Sequence, residues 1–186
     1  MATINPTKHL TNLDEWRWLD EANIFPPGSS VELIDGEILD KAPIGFNHTG
    51  HLNRLNKLLT KLAPDDVIVN VQNPLQLGDL SEPEPDFMLL KPNADFYSSR
   101  HPNINDVLLL IEVADSSLSF DQNQKLRLYA LHGIPEYWLL NLNDKYLEVY
   151  RKPNGEVYAE KNTLRTGDTI TLSQLNEISI RLADIL

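Results

Sequence analysis

The spacing of apolar and polar positions divides the chain into short strands and amphipathic helices. The longest apolar run, Val107 to Ile111, continues through Glu112 to Val113 and predicts a strand buried on both faces. In a regular strand Glu112 shares its face with Leu108 and Leu110, and Val113 points the other way. Ser116 to Asp121 then turns the chain into a helix over about Phe120–His132, which Gly133 and Ile134-Pro135 stop. Glu136–Leu142 predicts another strand. The stretch 107–142 therefore reads as strand, helix, strand: a right-handed crossover between parallel strands.

The flanking segments are shorter. Thr11–Ala22 predicts a helix that starts at a capping-box-like Thr11 and Asp14, with Leu13, Trp16 and Leu19 or Trp18 at helical spacing. Phe25 to Ser30 is a loop. In Val31–Leu39, Asp35-Gly36 between two short runs predicts a type I′ hairpin. Val31, Leu33 and Ile38 form its apolar side, and Glu32 and Glu37 flank the turn. His48–Leu62 is amphipathic: Leu52, Leu55, Leu58/Leu59 and Leu62 share the buried side with His48, and Arg54, Lys57 and Lys61 lie on other faces. Val67–Leu77 is a strand that Pro74 interrupts, hence an edge or a bend. A polar loop, Gly78–Pro85, leads to a strand opened by Asp86. Pro92–Asn105 is a loop long enough to act as a flap. Lys145–Glu160 predicts a hairpin turning at Pro153-Asn154-Gly155. Thr169–Leu172 is a last strand, and Ile178–Leu186 a short amphipathic segment. With no repeat, low-complexity tract or linker, residues 1–186 read as one α/β domain. It comprises an N-terminal helix and loop (1–30), a core (31–142), and a C-terminal hairpin and tail (143–186).

Composition narrows the class. Hydrophobic residues make up 41% and charged residues 23%, the balance of a soluble globular protein. The absence of cysteine excludes disulfides and thiolate metal sites and fits a reducing cytoplasm. The residues after Met1 lack a signal-peptide pattern, and no apolar run approaches the roughly 18 residues of a membrane helix. The formal net charge of −11 runs against nucleic-acid binding, unless bound metal ions and a local basic face offset it.

The chemistry centres on Glu112. An unpaired carboxylate inside a buried strand is costly, so Glu112 needs a cation, a metal or a proton. Asp86 opens one strand and Glu112 nearly closes the next. If these strands are neighbours, the two carboxylates converge, and hard oxygen donors of that kind favour Mg²⁺ or Mn²⁺. Lys125, thirteen positions beyond Glu112, is near enough in sequence to orient a nucleophile or stabilise negative charge. His48, Glu32 and Tyr129 are accessory candidates. The plainer readings are an ion pair between Glu112 and Lys125, a turn cap at Asp86, and packing roles for His48 and Tyr129. His51, His101 and His132 have no metal-site spacing. Asp65-Asp66 and the acids of 79–84 read as solvated loop residues.

Several motifs carry a family resemblance: Glu32-Leu-Ile-Asp-Gly-Glu37, Glu84-Pro85-Asp86-Phe87, Ile111-Glu112-Val113, the Asp121/Lys125/Tyr129 helix and Gly133-Ile-Pro-Glu-Tyr-Trp138. In order and spacing, from about Thr11 onward, they resemble the Uma2 (DUF820) family. That family is abundant in cyanobacteria and grouped with PD-(D/E)XK, restriction-endonuclease-like proteins. The resemblance implies a mixed β-sheet flanked by helices and a Mg²⁺- (or Mn²⁺-) dependent endonuclease acting on DNA. By the same resemblance Asp86, Glu112 and the Val113 carbonyl hold the metal, and Lys125 orients the attacking water. The superfamily keeps its lysine two residues after the acid, where this chain has Ala114; Lys125 on the following helix takes its place. Two alternatives stand beside this reading. One is a non-catalytic nuclease fold used for binding or as a homodimer. The other is a hydrolase using Asp86 and Glu112 as a metal-free acid/base pair.

Overall fold

The computed structural model describes residues 7–26 and 28–186. Residues 1–6 of the N-terminal segment and Pro27 of the 25–30 loop lie outside the described residues. The centre is a six-stranded sheet in the order β3-β4-β5-β6-β7-β8, built from β3 (Ile68–Val71), β4 (Phe87–Leu90), β5 (Val107–Ala114), β6 (Glu136–Asn141), β7 (Tyr146–Asn154) and β8 (Val157–Leu164). Only β5 and β6 are parallel; every other neighbouring pair is antiparallel. The sequence-derived crossover is thus present, and the antiparallel strands on both sides make the sheet mixed. β3, which ends three residues ahead of Pro74, is an edge strand, as the interrupted pattern indicates.

Two helices cover opposite faces. α2 (Phe46–Leu62) lays Leu52, Leu55 and Leu59 onto Phe87, Leu89, Ile111 and Val113. On the other face, Leu128 and Tyr129 pack on Met88, Leu110 and Ala114. Their helical segment opens with α3 (Leu118–Phe120), passes through a π-helical turn at Asp121–Lys125, and ends as α4 (Leu126–Leu131). Gly133, at φ +78°, takes the left-handed conformation that closes it, and the Ile134 amide donates to the Tyr129 carbonyl.

The remaining elements are α1 (Leu13–Glu21) and two hairpins, β1 (Val31–Ile34) with β2 (Glu37–Asp40) and β9 (Thr169–Thr171) with β10 (Ser179–Arg181). Asp35 and Gly36 have φ of +51° and +77°, as a type I′ turn requires.

Four expectations need correction. The cap of α1 is Asn12 with Glu15, not Thr11 with Asp14, because the Asn12 side chain reaches the Glu15 amide and Glu15 reaches back. Leu108 does not share a face with Leu110. A register shift pairs Leu89 with Leu109 but Leu90 with Val107, so Leu108 is the extra residue and packs on the α2 side. The long hairpin turns at Gly155-Glu156, so Pro153 lies in β7 opposite Tyr158. The 178–186 segment is amphipathic as its pattern indicates, burying Ile178, Ile180, Leu182 and Ile185, and it forms β10, paired with β9, and a short 3-10 turn. Finally, Glu82 and Glu84 are not both solvated loop acids: Glu82 is buried and accepts from the Trp16 indole, and Glu84 pairs with Lys41.

Candidate active site

Strand register brings the two carboxylates together. Phe87 pairs with Ile111, so Asp86, one residue earlier on the antiparallel neighbour, stands opposite Glu112. The Asp86 amide lies 3.3 Å from Glu112 Oε2, and the Val113 amide donates to Asp86 Oδ2 at 2.9 Å. Both residues line a cleft of about 510 Å³, which also takes in Glu32, His48, Asp121 and Lys125.

Each carboxylate has its own partners. Asp86 Oδ2 is 3.0 Å from His48 Nε2, delivered by the first turn of α2. Asp86 Oδ1 accepts from the Gln72 amide at 3.2 Å. Gln72 leaves β3 with φ +49°, and its backbone N–H also bonds the Asp86 carbonyl, which aims its side chain at the site. Glu112 Oε1 accepts from Lys125 Nζ at 3.0 Å and from the Tyr129 hydroxyl at 2.7 Å. Lys125 and Tyr129 are four apart, one helical turn, and so approach from the same side. Lys125 Nζ is also 3.3 Å from Glu32 Oε2, which the β1–β2 hairpin turns inward. The sequence-derived Asp86, Glu112, Lys125, Glu32, His48 and Tyr129 therefore all meet here. Val113, expected to act through its carbonyl, touches Asp86 through its amide.

Gln72, Asp121 and the Lys41–Glu84 pair went unremarked as site residues in the sequence. Asp121 is buried at the start of the π-helical turn, where Ser117 Oγ donates to it at 2.5 Å. Lys41 Nζ is 2.9 Å from Glu84 Oε2 at the cleft wall. The Glu84-Pro85-Asp86 motif could have flagged Glu84. A positive-φ glutamine such as Gln72 leaves no comparable local signature.

The electrostatics follow from crowding. Burial pushes Glu112 up to about 7, Lys125 and Tyr129 pull it down, and the charges of Asp121 and Asp86 add to the rise. Asp121 is likewise raised by burial against the pull of Lys125. Lys125 is raised above its ordinary value: burial works against its charge, but Glu112, Glu32 and Asp121 outweigh it. Asp86 ends below the usual carboxylate range: burial raises it, and the His48 hydrogen bond and charge, with the Val113 and Gln72 donors, outweigh that. For His48, burial lowers the value and Asp86 raises it further, with Glu112 and Asp115 adding to the net rise. Around one cleft, then, sit the carboxylates of Glu32, Asp40, Glu84, Asp86, Glu112, Asp115 and Asp121 with Lys41, Lys125 and His48.

Do these residues suit a divalent cation? Asp86 and Glu112 supply hard oxygen donors, and the carboxylates outnumber the cations, so bound positive charge would relieve the repulsion that raises Glu112. Each oxygen of the two already has a protein partner, but a carboxylate oxygen has more than one acceptor position. Among the described residues, no set of three or more acidic or histidine side chains is gathered as a metal cage. The donor chemistry fits a metal held by few protein ligands and several waters.

The Uma2 family, described as "Putative restriction endonuclease", matches residues 14–183. In structure, the chain is similar to "a putative nuclease belonging to DUF820 from Anabaena variabilis ATCC 29413". The TM-score is 0.71, the identity 18%, and the likeness covers 90% of this chain and 96% of that one. The restriction-endonuclease-like α/β fold expected from the motifs is the fold observed. No curated protein matches the chain. Among the described residues no helix is long and apolar enough to cross a membrane.

Proposed function

The chain belongs to the Uma2 family, and from that premise we propose that it is a divalent-metal-dependent endonuclease that hydrolyses DNA phosphodiester bonds. The observation that carries the reading is the meeting of Asp86 and Glu112 at one end of the cleft, with Lys125 on Glu112. Asp86 and Glu112, with the Val113 carbonyl, would hold Mg²⁺ or Mn²⁺. When bound, such an ion polarises a phosphodiester and lowers the pKa of an attacking water.

The chain's own residues do the rest. His48, Gln72 and the Val113 amide fix Asp86 in its ionised form. Tyr129 and Lys125 fix the orientation of Glu112. Lys125 keeps its proton, so its ammonium orients the nucleophilic water or steadies negative charge on the phosphate. It does so from the helical segment after β5, which answers the Ala114 in the strand: Lys125 Nζ reaches Glu112 Oε1 at 3.0 Å from there. Glu32 holds the other side of the ammonium. A cation bound in the acidic cleft would lower its repulsion of a polyanion, so metal would favour the scissile phosphate's entry into the cleft.

The test is plasmid nicking with Mg²⁺ or Mn²⁺ by the native chain and by Glu112→Gln. Cleavage that vanishes in the variant supports the reading; equal cleavage, or none by the native chain under any divalent ion, overturns it. One observation favours a second reading, a non-catalytic binding or homodimerising module. Lys125, Glu112, Glu32 and Tyr129 already satisfy one another without a metal. That reading requires Mn²⁺ to leave the melting temperature unchanged, because an ion bound to the folded state raises it.

A further inference from the structure

α2 is an anomaly in an acidic chain. From Lys41 to Pro64 there is no aspartate or glutamate, although the chain carries 27 of them and a net charge of −11. The helix itself holds Arg54, Lys57 and Lys61, and its first turn has no acid. At 100° per residue, Phe46, Gly50, Arg54, Lys57 and Lys61 fall in one stripe, opposite Leu52, Leu55 and Leu59, which are buried in the core. Every residue of the stripe is exposed.

These cations also lack an acidic side-chain partner. Among the described residues, nine of the 16 lysines and arginines pair with an acidic side chain. Arg54, Lys57 and Lys61 do not; Arg54 donates only to the Leu186 main-chain oxygen. The nearest acids in sequence are Asp40 on one side and Asp65 and Asp66 on the other, all outside the helix.

The stripe leads to the cleft. His48 of the same helix bonds Asp86, and Ile44 and Gly45, just before the helix, line the cleft. Phe46, at the junction, is 100% exposed. Its ring is therefore open to stacking against a flat aromatic group. Gly50, with nothing within 4 Å of a Cβ placed on it, leaves the helix surface open to close approach between Phe46 and Arg54. From Phe46 to Lys61 the helix rises roughly 22 Å. Arg54 to Lys61 take up roughly 10 Å of that rise, so the three flexible cations can reach neighbouring phosphates of one backbone.

We propose that the outer face of α2 is the DNA-docking track of this protein: Arg54, Lys57 and Lys61 hold the phosphate backbone, and Phe46 stacks on an unpaired base where the strand enters the cleft. The inference rests on the nucleic-acid reading above and states where the substrate lies. It also answers the charge objection, since the polyanion meets an acid-free helix face that carries Arg54, Lys57 and Lys61, and the cleft carboxylates lie off that face.

The experiment is fluorescence-anisotropy binding of a labelled single-stranded DNA 20-mer, in EDTA so that no cleavage occurs, over a range of salt. Arg54→Ala/Lys57→Ala/Lys61→Ala is compared with Lys91→Ala/Lys145→Ala/Arg165→Ala, which removes the same charge elsewhere. The α2 variant is expected to bind about tenfold or more weakly at low salt, with a salt slope lower by about 2 to 3; the control stays near the native chain. Phe46→Ala is expected to lose about fivefold or more on the single strand and less on a duplex. Equal losses in the two triple variants, an α2 variant that binds like the native chain, or a native chain that does not bind DNA overturns the proposal. Native binding without cleavage in Mg²⁺ or Mn²⁺ fails the nuclease reading and leaves the track. Native cleavage that the α2 variant matches does the reverse.

Discussion

Two buried glutamates on adjacent strands make the useful comparison. Glu112 on β5 and Glu136 at the start of β6 are 3% and 0% exposed, and a carboxylate so buried needs compensation. Glu136 receives a closed set of donors: Arg151 at 2.6 Å, the Trp138 indole at 2.7 Å, and the Ser173 amide and hydroxyl at 2.8 and 2.5 Å. None of these is a second carboxylate, and Glu136 is not among the cleft residues. Glu112 has Lys125 and Tyr129, but Asp86 and Asp121 press on it with like charge, and it faces the cleft. Burial of a carboxylate therefore does not mark a site. What marks it is burial with its own kind nearby and an opening to solvent, because only then is there a charge left for a ligand to neutralise.

Exchanging the roles of the two residues gives the largest effects. Glu112→Gln is expected to abolish nicking, by about a hundredfold or more, while changing the melting temperature little, since the amide removes a repelled charge and keeps the shape. Glu136→Ala is expected to do the opposite. It leaves Arg151 and the other donors without their acceptor, at a cost of about 3 kcal/mol or more in urea unfolding, and nicking per folded molecule persists. If Glu112→Gln unfolds the chain as readily as Glu136→Ala, the distinction between the two glutamates collapses.

A smaller effect separates them by pH. In metal-free protein Glu112 titrates near 7 in the fold and near 4.5 when unfolded, so its stabilising contribution is present below about 4.5 and lost as pH rises through 7. Asp121, also raised, acts in the same direction. Asp86 is lowered and acts oppositely, but only as pH falls through the range below its ordinary 3.8. Stability measured by denaturant is therefore expected to decline from pH 5 to pH 8 by up to about 3 kcal/mol, and to decline less in Glu112→Gln. Mn²⁺ is expected to raise the melting temperature more at pH 8 than at pH 5.5, because it requires the ionised carboxylate. A flat profile in the native chain would remove the crowding argument.

The smallest change is Tyr129→Phe. It deletes one donor, 2.7 Å from Glu112, that holds the carboxylate's pKa down. The variant is expected to lose about 1 to 2 kcal/mol and to move the midpoint of the pH profile upward.

Much of this was legible before any coordinates. The apolar run of β5, the Asp35-Gly36 turn, the leucine spacing of α2 and the Gly133 stop are short-range signals, and each appears where its period or its glycine placed it. Of the two buried glutamates, only Glu112 was singled out, because it interrupts an unbroken apolar run. Glu136 sits at the edge of EYWLLNL, where a polar residue looks like a strand end. Its partners Arg151 and Ser173 lie 15 and 37 positions away, beyond the reach of any local pattern.

By itself, the order of residues determined the strands, the helices and their periodicities, and the requirement that Glu112 be compensated. Those follow from backbone sterics and from the cost of an isolated buried charge, which act within a few residues or within one side chain. Only the tertiary structure decided what does the compensating. The bulge at Leu108 resets which side chains share a face of β5, the π-helical turn carries buried Asp121 and Lys125, and the antiparallel register sets Asp86 against Glu112. It likewise decided that the cations of α2 are left unpaired on one exposed face. Desolvation and Coulomb interaction depend on distance through space, and nothing in a linear spacing fixes that distance until the sheet is assembled.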